Sequence, residues 1–345
     1  MKVPVFTDVK NIEFQDRSKP RPGRGEAVVK VSFCGICGSD VHGFLNAIMV
    51  APGTVMGHEC SGIVEELGSG DFHVIPGERV TVKPIAQCGA CYWCLRGQYS
   101  LCPKALERAI GISPAHDGAF AQYVLIKYPS EMLVELPDSV TLEQGALVEP
   151  LATSLHGVRL SRFKPGDTAV VIGAGMIGLG VVQFLQLGGA GKIIVLEINR
   201  KKSAIAATLG ADTVLNPENA GSDVMEKIMA LTGGVGADIV FECAGVPLAL
   251  QTCTDYVKSG GQVMLIGIND REVAIQPFMM VVREVELKGV IGYYDEFSYV
   301  LDFLARRKVN TDVLISDSID LHDIEEQGFK RLLAPNNLVK VLVKP

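Results

Sequence analysis

Val170-Val171-Ile172-Gly173-Ala174-Gly175-Met176-Ile177-Gly178 decides how the second half of the chain folds. An apolar run of strand type leads straight into G-x-G-x-x-G, and the glycines open a helix. Gly173 permits a tight turn, Gly175 lets the backbone approach a pyrophosphate, and Gly178 lets helix and strand pack closely. The helix N-terminus offers N–H groups and positive dipole to the phosphates. Alone, the motif is weak evidence. It gains weight from Glu197, at the end of the next apolar run, where a carboxylate accepts hydrogen bonds from ribose hydroxyls. The same carboxylate repels a 2′-phosphate, so NAD is expected and NADP is less favoured. The basic cluster Arg200, Lys201 and Lys202 is the contrary signal, because it suits such a phosphate.

Around this motif, apolar runs alternate with helix-like stretches. Strands are expected at 168–172, 192–197, 239–242 and 262–266, and helices at 176–187, 201–209 and 248–257. Such alternation implies a doubly wound parallel sheet covered on both faces, a Rossmann domain over 151–289. Before Glu149-Pro150 the character differs. Short strands at 27–33, 61–67, 79–82 and 121–126 lie between Gly and Pro turns, which predicts an irregular, mostly β domain. A helix at 297–306 and a last strand at 338–343 complete the pattern. The fold class is therefore α/β.

A chain of 345 residues, 48% hydrophobic and 21% charged, is globular and long enough for two domains. The net charge of −7 and pI near 5.5 argue against nucleic acid or an anionic membrane as partner. From Thr168 to Gly191 no residue is charged, but seven glycines and two glutamines break this stretch, so a membrane span is not expected. Residues 1–10 have no apolar core of signal-peptide length, and the nine cysteines include a metal-type cluster. Both features predict a cytoplasmic location.

That cluster is Cys88, Cys91, Cys94 and Cys102, spaced C-x2-C-x2-C-x7-C. Four close thiolates form a closed, soft, tetrahedral donor set that suits a structural Zn2+. An iron–sulfur cluster is the rival occupant: Pro103 follows the last cysteine as in bacterial cluster motifs, but the further cysteines of those motifs are missing nearby, so Zn2+ is expected. Three further segments carry metal-compatible residues: Cys34-Gly35-Ile36-Cys37-Gly38-Ser39-Asp40-Val41-His42, Gly57-His58-Glu59, and Glu149-Pro150. A catalytic zinc needs about three protein ligands and one open position. Cys37, His58 and a carboxylate from Glu59 or Glu149 satisfy that need.

Taken together, G-I-C-G-S-D-x-H, G-H-E, the four-cysteine lobe, E-P-L and the G-x-G-x-x-G unit resemble the zinc-dependent medium-chain dehydrogenase/reductase superfamily along essentially the whole chain. Glu149 at the E-P-L position is similar to the sorbitol and 2,3-butanediol (polyol) dehydrogenase branch. The resemblance implies a GroES-like catalytic domain in two pieces, 1–150 and 290–345, with a structural zinc lobe near 87–103 and the Rossmann domain inserted between them. It makes Cys37 and His58 ligands of the catalytic zinc, with Glu59 and Glu149 as direct or water-mediated ligands. Ser39 matches the hydroxyl that takes the substrate proton, His42 the relay to solvent, and Asp40 the acid that orients His58. On the cofactor side, Gly173, Gly175, Ile177, Gly178, Glu197 and Lys202 match adenosine and pyrophosphate positions. Ile266, Gly267, Ile268, Val290, Ile291 and Gly292 match contacts near the nicotinamide.

The implied enzyme moves a hydride between a secondary alcohol (polyol, diol or bulkier)/ketone pair and NAD, with one catalytic and one structural Zn2+ per chain. A bound Zn2+ lowers the pKa of such an oxygen by roughly 8–9 units, as it does for water. The expected assembly is a homo-oligomer, a dimer or tetramer. The alternative is a non-catalytic NAD-binding sensor or structural protein on the same scaffold. Two polyol-contacting positions depart from the branch: Gly43 stands where Tyr is usual, and Gly292 where Arg is usual. Both changes suggest a larger or less polar pocket. Cys34, Cys60, Cys243 and Cys253 are expected to be buried small hydrophobes. Structural roles are expected for His73, His116, His156 and His322, with His116 also placed to line a pocket.

Overall fold

The computed structural model describes residues 1–220 and 223–345. Sixteen strands are described: β1 (Lys2–Asp8), β2 (Asn11–Asp16), β3 (Ala27–Gly35), β4 (Thr54–Val55), β5 (Glu59–Leu67), β6 (Arg79–Val82), β7 (Tyr123–Ile126) and β8 (Leu133–Glu135), then β9 (Thr168–Ile172), β10 (Lys192–Leu196), β11 (Thr213–Leu215), β12 (Ala237–Glu242), β13 (Val257–Leu265), β14 (Glu286–Gly289), β15 (Ile315–Asp320) and β16 (Lys340–Lys344). The helices that matter for function are α1 (Gly38–Asn46), α2 (Val148–Leu160), α3 (Met176–Leu187), α4 (Arg200–Thr208), α5 (Asp223–Leu231), α6 (Pro247–Thr252), α7 (Pro277–Arg283) and α8 (Glu296–Ala305). The chain divides into two compact units, residues 1–150 with 293–345, and residues 151–292.

In the second unit six strands lie in the order β11-β10-β9-β12-β13-β14, all parallel. Strands buried on both faces read as continuous apolar runs, and Ala169–Ile172 and Ile193–Leu196 do so. Strand order reverses between β9 and β12, and ligands of open parallel sheets bind outside the carboxyl ends at such a point. Helix α3 starts there, with Gly175 at its N-cap. A Cβ on Gly178 would meet the Gly173 carbonyl oxygen at 1.9 Å, so only glycine lets this helix close onto its turn. The charge-free stretch thus divides into β9, a turn and a twelve-residue helix. Among the described residues no helix is long and apolar enough to cross a membrane.

In the first unit a seven-stranded sheet runs β15-β16-β3-β5-β6-β8, with β7 also paired to β3, and β2-β1-β4 forms a smaller sheet. Pairing is antiparallel except between β15 and β16. The GroES-like and Rossmann architecture expected from the sequence is present. One expectation is wrong: residues 248–257 do not form a single helix. Helix α6 ends at Thr252, and Val257 pairs with Ala237 as the first residue of β13. The ladder then skips to Gln262 opposite Ile239, a bulge in which Gly260 takes φ +71°. Elsewhere the expected elements shift by at most two residues, and 79–82, 168–172 and 176–187 do not shift at all.

Two features of α7 and β14 bear on assembly. Helix α7 buries none of its residues, and Phe278, Met279, Val281 and Val282 are 45–76% exposed. Strand β14 pairs only with β13 among the described strands, which leaves one edge open.

The core of the first unit centres on Phe329, which is fully buried in the π-helical segment Ile324–Lys330. Its ring stacks on Phe44 at 4.8 Å and meets Phe120 edge-on at 6.1 Å. Removing it should cost about 3–5 kcal/mol. We expect Phe329→Ala to lower the denaturant midpoint accordingly, as measured by equilibrium unfolding followed by circular dichroism.

Candidate active site

Cys37 stands at the N-cap of α1 in extended conformation, with φ −85° and ψ 157°. Asp40, at the third helical position, is buried, and its Oδ2 accepts the Cys37 backbone N–H at 2.9 Å. Its Oδ1 lies 3.5 Å from His58 Nδ1. One carboxylate therefore caps the helix and orients the imidazole, leaving Nε2 for the Cys37 side. Burial opposes a charge on His58, yet Asp40 and then Cys37 outweigh it and hold its pKa well above the usual histidine range. A field that favours a proton there also favours a metal cation among the same donors. The ligand atoms of Cys37, His58 and Glu59 lie within 4.8 Å of one another, which fits a zinc ion.

Glu59 opens β5 and is completely buried. Lys340, from β16, donates to its Oε1 at 2.8 Å and Oε2 at 2.6 Å, and to the Ile36 carbonyl at 2.9 Å. All three ammonium protons are used. Gly35 is glycine because a Cβ there would meet Glu59 Oε2 at 2.2 Å. Each carboxylate oxygen keeps a second lone pair, so the ion pair does not disqualify Glu59 as a metal ligand. Glu149, near the start of α2, stands in the same electrostatic neighbourhood. Desolvation pushes its carboxyl up to about 7; His58 and Lys340 oppose that shift, while Glu59 and Asp40 add to it. The residue as a whole is half-buried. Ser39 and His42 lie on α1 with Asp40. The Nδ1 atom of His42 is buried without a hydrogen-bond partner among the described residues, which leaves it free to bond an incoming hydroxyl or water.

The four-cysteine lobe is equally compact. The Sγ atoms of Cys88, Cys91, Cys94 and Cys102 lie within 4.8 Å of one another, with Cys91–Cys94 at 3.5 Å and Cys88–Cys94 at 3.9 Å. Thiolates around a tetrahedral zinc stand roughly 3.8 Å apart, given Zn–S near 2.3 Å. N–H groups of Ala90 and Cys91 lower the Cys88 thiol to about 6, whereas burial raises Cys94 to about 11. Metal binding would draw all four to the thiolate form. Cys34 is not part of this chemistry. It is buried opposite Cys60 in the β3–β5 pair, and burial pushes its thiol well up and that of Cys60 to about 12. Cys253 is buried as expected, but Cys243 reaches the surface. His73 bonds the Leu133 carbonyl, His322 stacks on Phe14, and His116 tilts over Tyr128 in its loop.

In the second unit, the residues expected around the dinucleotide gather at the carboxyl edge of the parallel sheet. Gly173, Gly175, Ile177 and Gly178 follow β9, and Glu197 and Lys202 follow β10. Ile266, Gly267 and Ile268 follow β13, and Val290, Ile291 and Gly292 follow β14. Glu197 is buried and doubly anchored: Oε2 accepts the Ala174 N–H and Oε1 the Asn199 N–H, each at 2.7 Å. Asn199 in turn caps α4 through the N–H groups of Lys201 and Lys202.

Residues 23–138 match the family model described as alcohol dehydrogenase GroES-like domain, and residues 177–306 match the one described as zinc-binding dehydrogenase. The chain is 35% identical to (R,R)-butanediol dehydrogenase of Bacillus subtilis strain 168 over the whole of both proteins. It is 31% identical to sorbitol dehydrogenase of the same strain, covering all of this chain and 97% of that protein. Among solved structures, a Sinorhizobium meliloti 1021 protein bound to NADP matches with a TM-score of 0.89 at 35% identity, over 100% of this chain and 99% of the other.

This chain belongs to the zinc-dependent alcohol dehydrogenase family. As a family member it is a zinc-dependent oxidoreductase acting on alcohols, with a fold that binds NAD or NADP. The non-catalytic alternative is not favoured, since the matched relatives are dehydrogenases. Sequence reading missed Lys340, which lies 281 residues from Glu59 and carries no motif of its own. It also misjudged Gly43. A Cβ there would meet Val50 Cγ1 at 2.8 Å, so Val50 fills the space and the position is less polar without being roomier.

An acid that orients a metal-binding histidine is worth 10–100-fold in metal affinity. We expect Asp40→Asn to weaken zinc binding at Cys37 and His58 by about that factor, while zinc in the four-cysteine lobe stays tight. Competition with a chromogenic chelator measures both.

Proposed function

We propose that this chain oxidises a secondary alcohol to a ketone, reversibly, with NAD as hydride acceptor. The observation that carries this reading is the close set of Cys37, His58 and Glu59 donors on a chain of this family. Cys37, His58 and Glu59 would hold a catalytic zinc, with Glu149 beside them, and the four cysteines a structural one. When bound, the catalytic zinc supplies Lewis acidity that makes an alcohol proton easy to lose at neutral pH. Ser39 takes that proton and His42 passes it towards solvent, its unpartnered Nδ1 being ready to bond the next hydroxyl or water. Asp40 keeps the His58 ring in one orientation throughout.

Glu197 supports NAD over NADP. Its anchored, buried carboxylate suits two ribose hydroxyls and opposes a 2′-phosphate. The roles of the Gly173–Gly178 turn, Lys202, 266–268 and 290–292 in holding the dinucleotide belong to the same proposal. Gly43, backed by Val50, and Gly292 supply no side-chain donor for a polyol hydroxyl, so the alcohol is less polar than sorbitol. Nine free cysteines support a cytoplasmic location.

A homo-oligomer is part of the reading, with a second copy covering the apolar face of α7 and the open edge of β14. Light scattering on the purified chain should return a dimer or tetramer mass; a monomer at micromolar concentration would remove this part. The substrate test is a panel of secondary alcohols assayed with NAD and with NADP. Diols and weakly polar alcohols should turn over with NAD at least tenfold faster than sorbitol does, a gap of about 1.4 kcal/mol in transition-state binding. Preference for sorbitol, or for NADP, would reject the assignment.

A further inference from the structure

The four-cysteine lobe reaches the neighbourhood of Glu149 through one serine. Ser100 lies two residues before Cys102, and its hydroxyl is engaged twice by a residue 193 positions away: Oγ accepts the Tyr293 backbone N–H at 2.8 Å and donates to the Tyr293 carbonyl. Both backbone polar groups of Tyr293 are thus held by one side chain. Flanking contacts reinforce the join. Tyr99 packs against the cysteine cluster, and the buried Lys83 ammonium lies 5.4 Å from the Tyr99 ring centre and 5.9 Å from that of Tyr293. Lys83 also donates to the Tyr294 carbonyl at 3.4 Å, and the Tyr294 N–H bonds Glu296 Oε2 at 2.6 Å.

Tyr293 is 1% exposed, and its ring packs on Phe297 at 4.8 Å. Its hydroxyl is buried with no hydrogen-bond partner among the described residues; burial first, and the Glu149 carboxyl after it, push its pKa well up. A buried hydroxyl without a partner costs on the order of 1–3 kcal/mol. A clamp that holds it in that position implies a partner that is supplied when the site is in use.

We propose that Ser100 is a positioning residue: by fixing the Tyr293 backbone it places the Tyr293 hydroxyl beside Glu149, so that the structural lobe sets the geometry of the catalytic pocket. The proposal rests on the reading of Glu149 as part of that pocket. It explains why a lobe with a closed metal site should matter to turnover, since the lobe's folded shape is what presents Ser100. Tyr293 transmits the effect through its hydroxyl, and Thr at position 100 would keep the clamp.

The test compares Ser100→Ala, Ser100→Thr, Tyr293→Phe and the Ser100→Ala/Tyr293→Phe pair as zinc-loaded full-length enzymes. Ser100→Ala should lower kcat about tenfold, the size of one lost hydrogen bond, with KM for NAD unchanged and both zincs still bound. It should also speed zinc release from the Cys37 site to a chelator, but not from the lobe. Ser100→Thr should restore both properties. Tyr293→Phe, which leaves the backbone clamp intact, should match Ser100→Ala, and the double variant should be no worse than either. Independent, multiplying effects in the double variant would overturn the proposal. So would a Ser100→Ala enzyme with unchanged kcat, or one whose loss follows loss of lobe zinc. A wild-type enzyme that binds no zinc at Cys37 and His58 would instead refute the reading of the site itself.

Discussion

The buried pair Glu59–Lys340 is the constraint on which the first unit's site depends. Two opposite charges have been taken out of water, which is costly, and attraction repays the cost only when the remaining hydrogen bonds are made. Here they are made: Lys340 uses all three protons, and both oxygens of Glu59 are engaged. The pair ties β16, near the chain's end, to the start of β5, the strand that follows His58 directly. It also obliges residue 35 to be glycine. The candidate metal donors are therefore set by a contact that bridges β16 and β5 across β3 of the seven-stranded sheet, not by their own loop alone.

Asp40 plays a parallel part on the other side of the donor set. As a cap it satisfies an N–H at the start of α1, and as an orienter it faces His58. Helix α1 also carries Ser39 and His42, so one capping interaction fixes the residues proposed to handle the proton and a proposed metal ligand together. This economy explains why the segment from Cys34 to His42 reads so compactly in the sequence.

Legibility followed sequence separation. The G-x-G-x-x-G turn and the four cysteines were readable because each packs its chemistry into fewer than twenty residues with fixed spacing. Glu197 was readable because the fold puts the next strand's end beside the turn. Lys340, Ser100 and Tyr293 were not, since their contacts form only once segments distant in the chain are brought together. The helix expected at 248–257 failed for a related reason. Val257 has the side chain of a strand residue, and only its pairing with Ala237 shows that it belongs to one. At Gly43 the missing side chain looked like empty space until Val50 was seen to occupy it.

Cys37, His58 and Glu59 are proposed to hold a reactive zinc distinct from the one in the four-cysteine lobe. Diffraction at the zinc absorption edge from crystals of the active enzyme tests it most directly. Two anomalous peaks per chain are expected, one among Cys88, Cys91, Cys94 and Cys102 and one touching Cys37 and His58 with a ligand position open. Fully active crystals with a peak only in the lobe, or with a second ion that no substrate atom could reach, would contradict it.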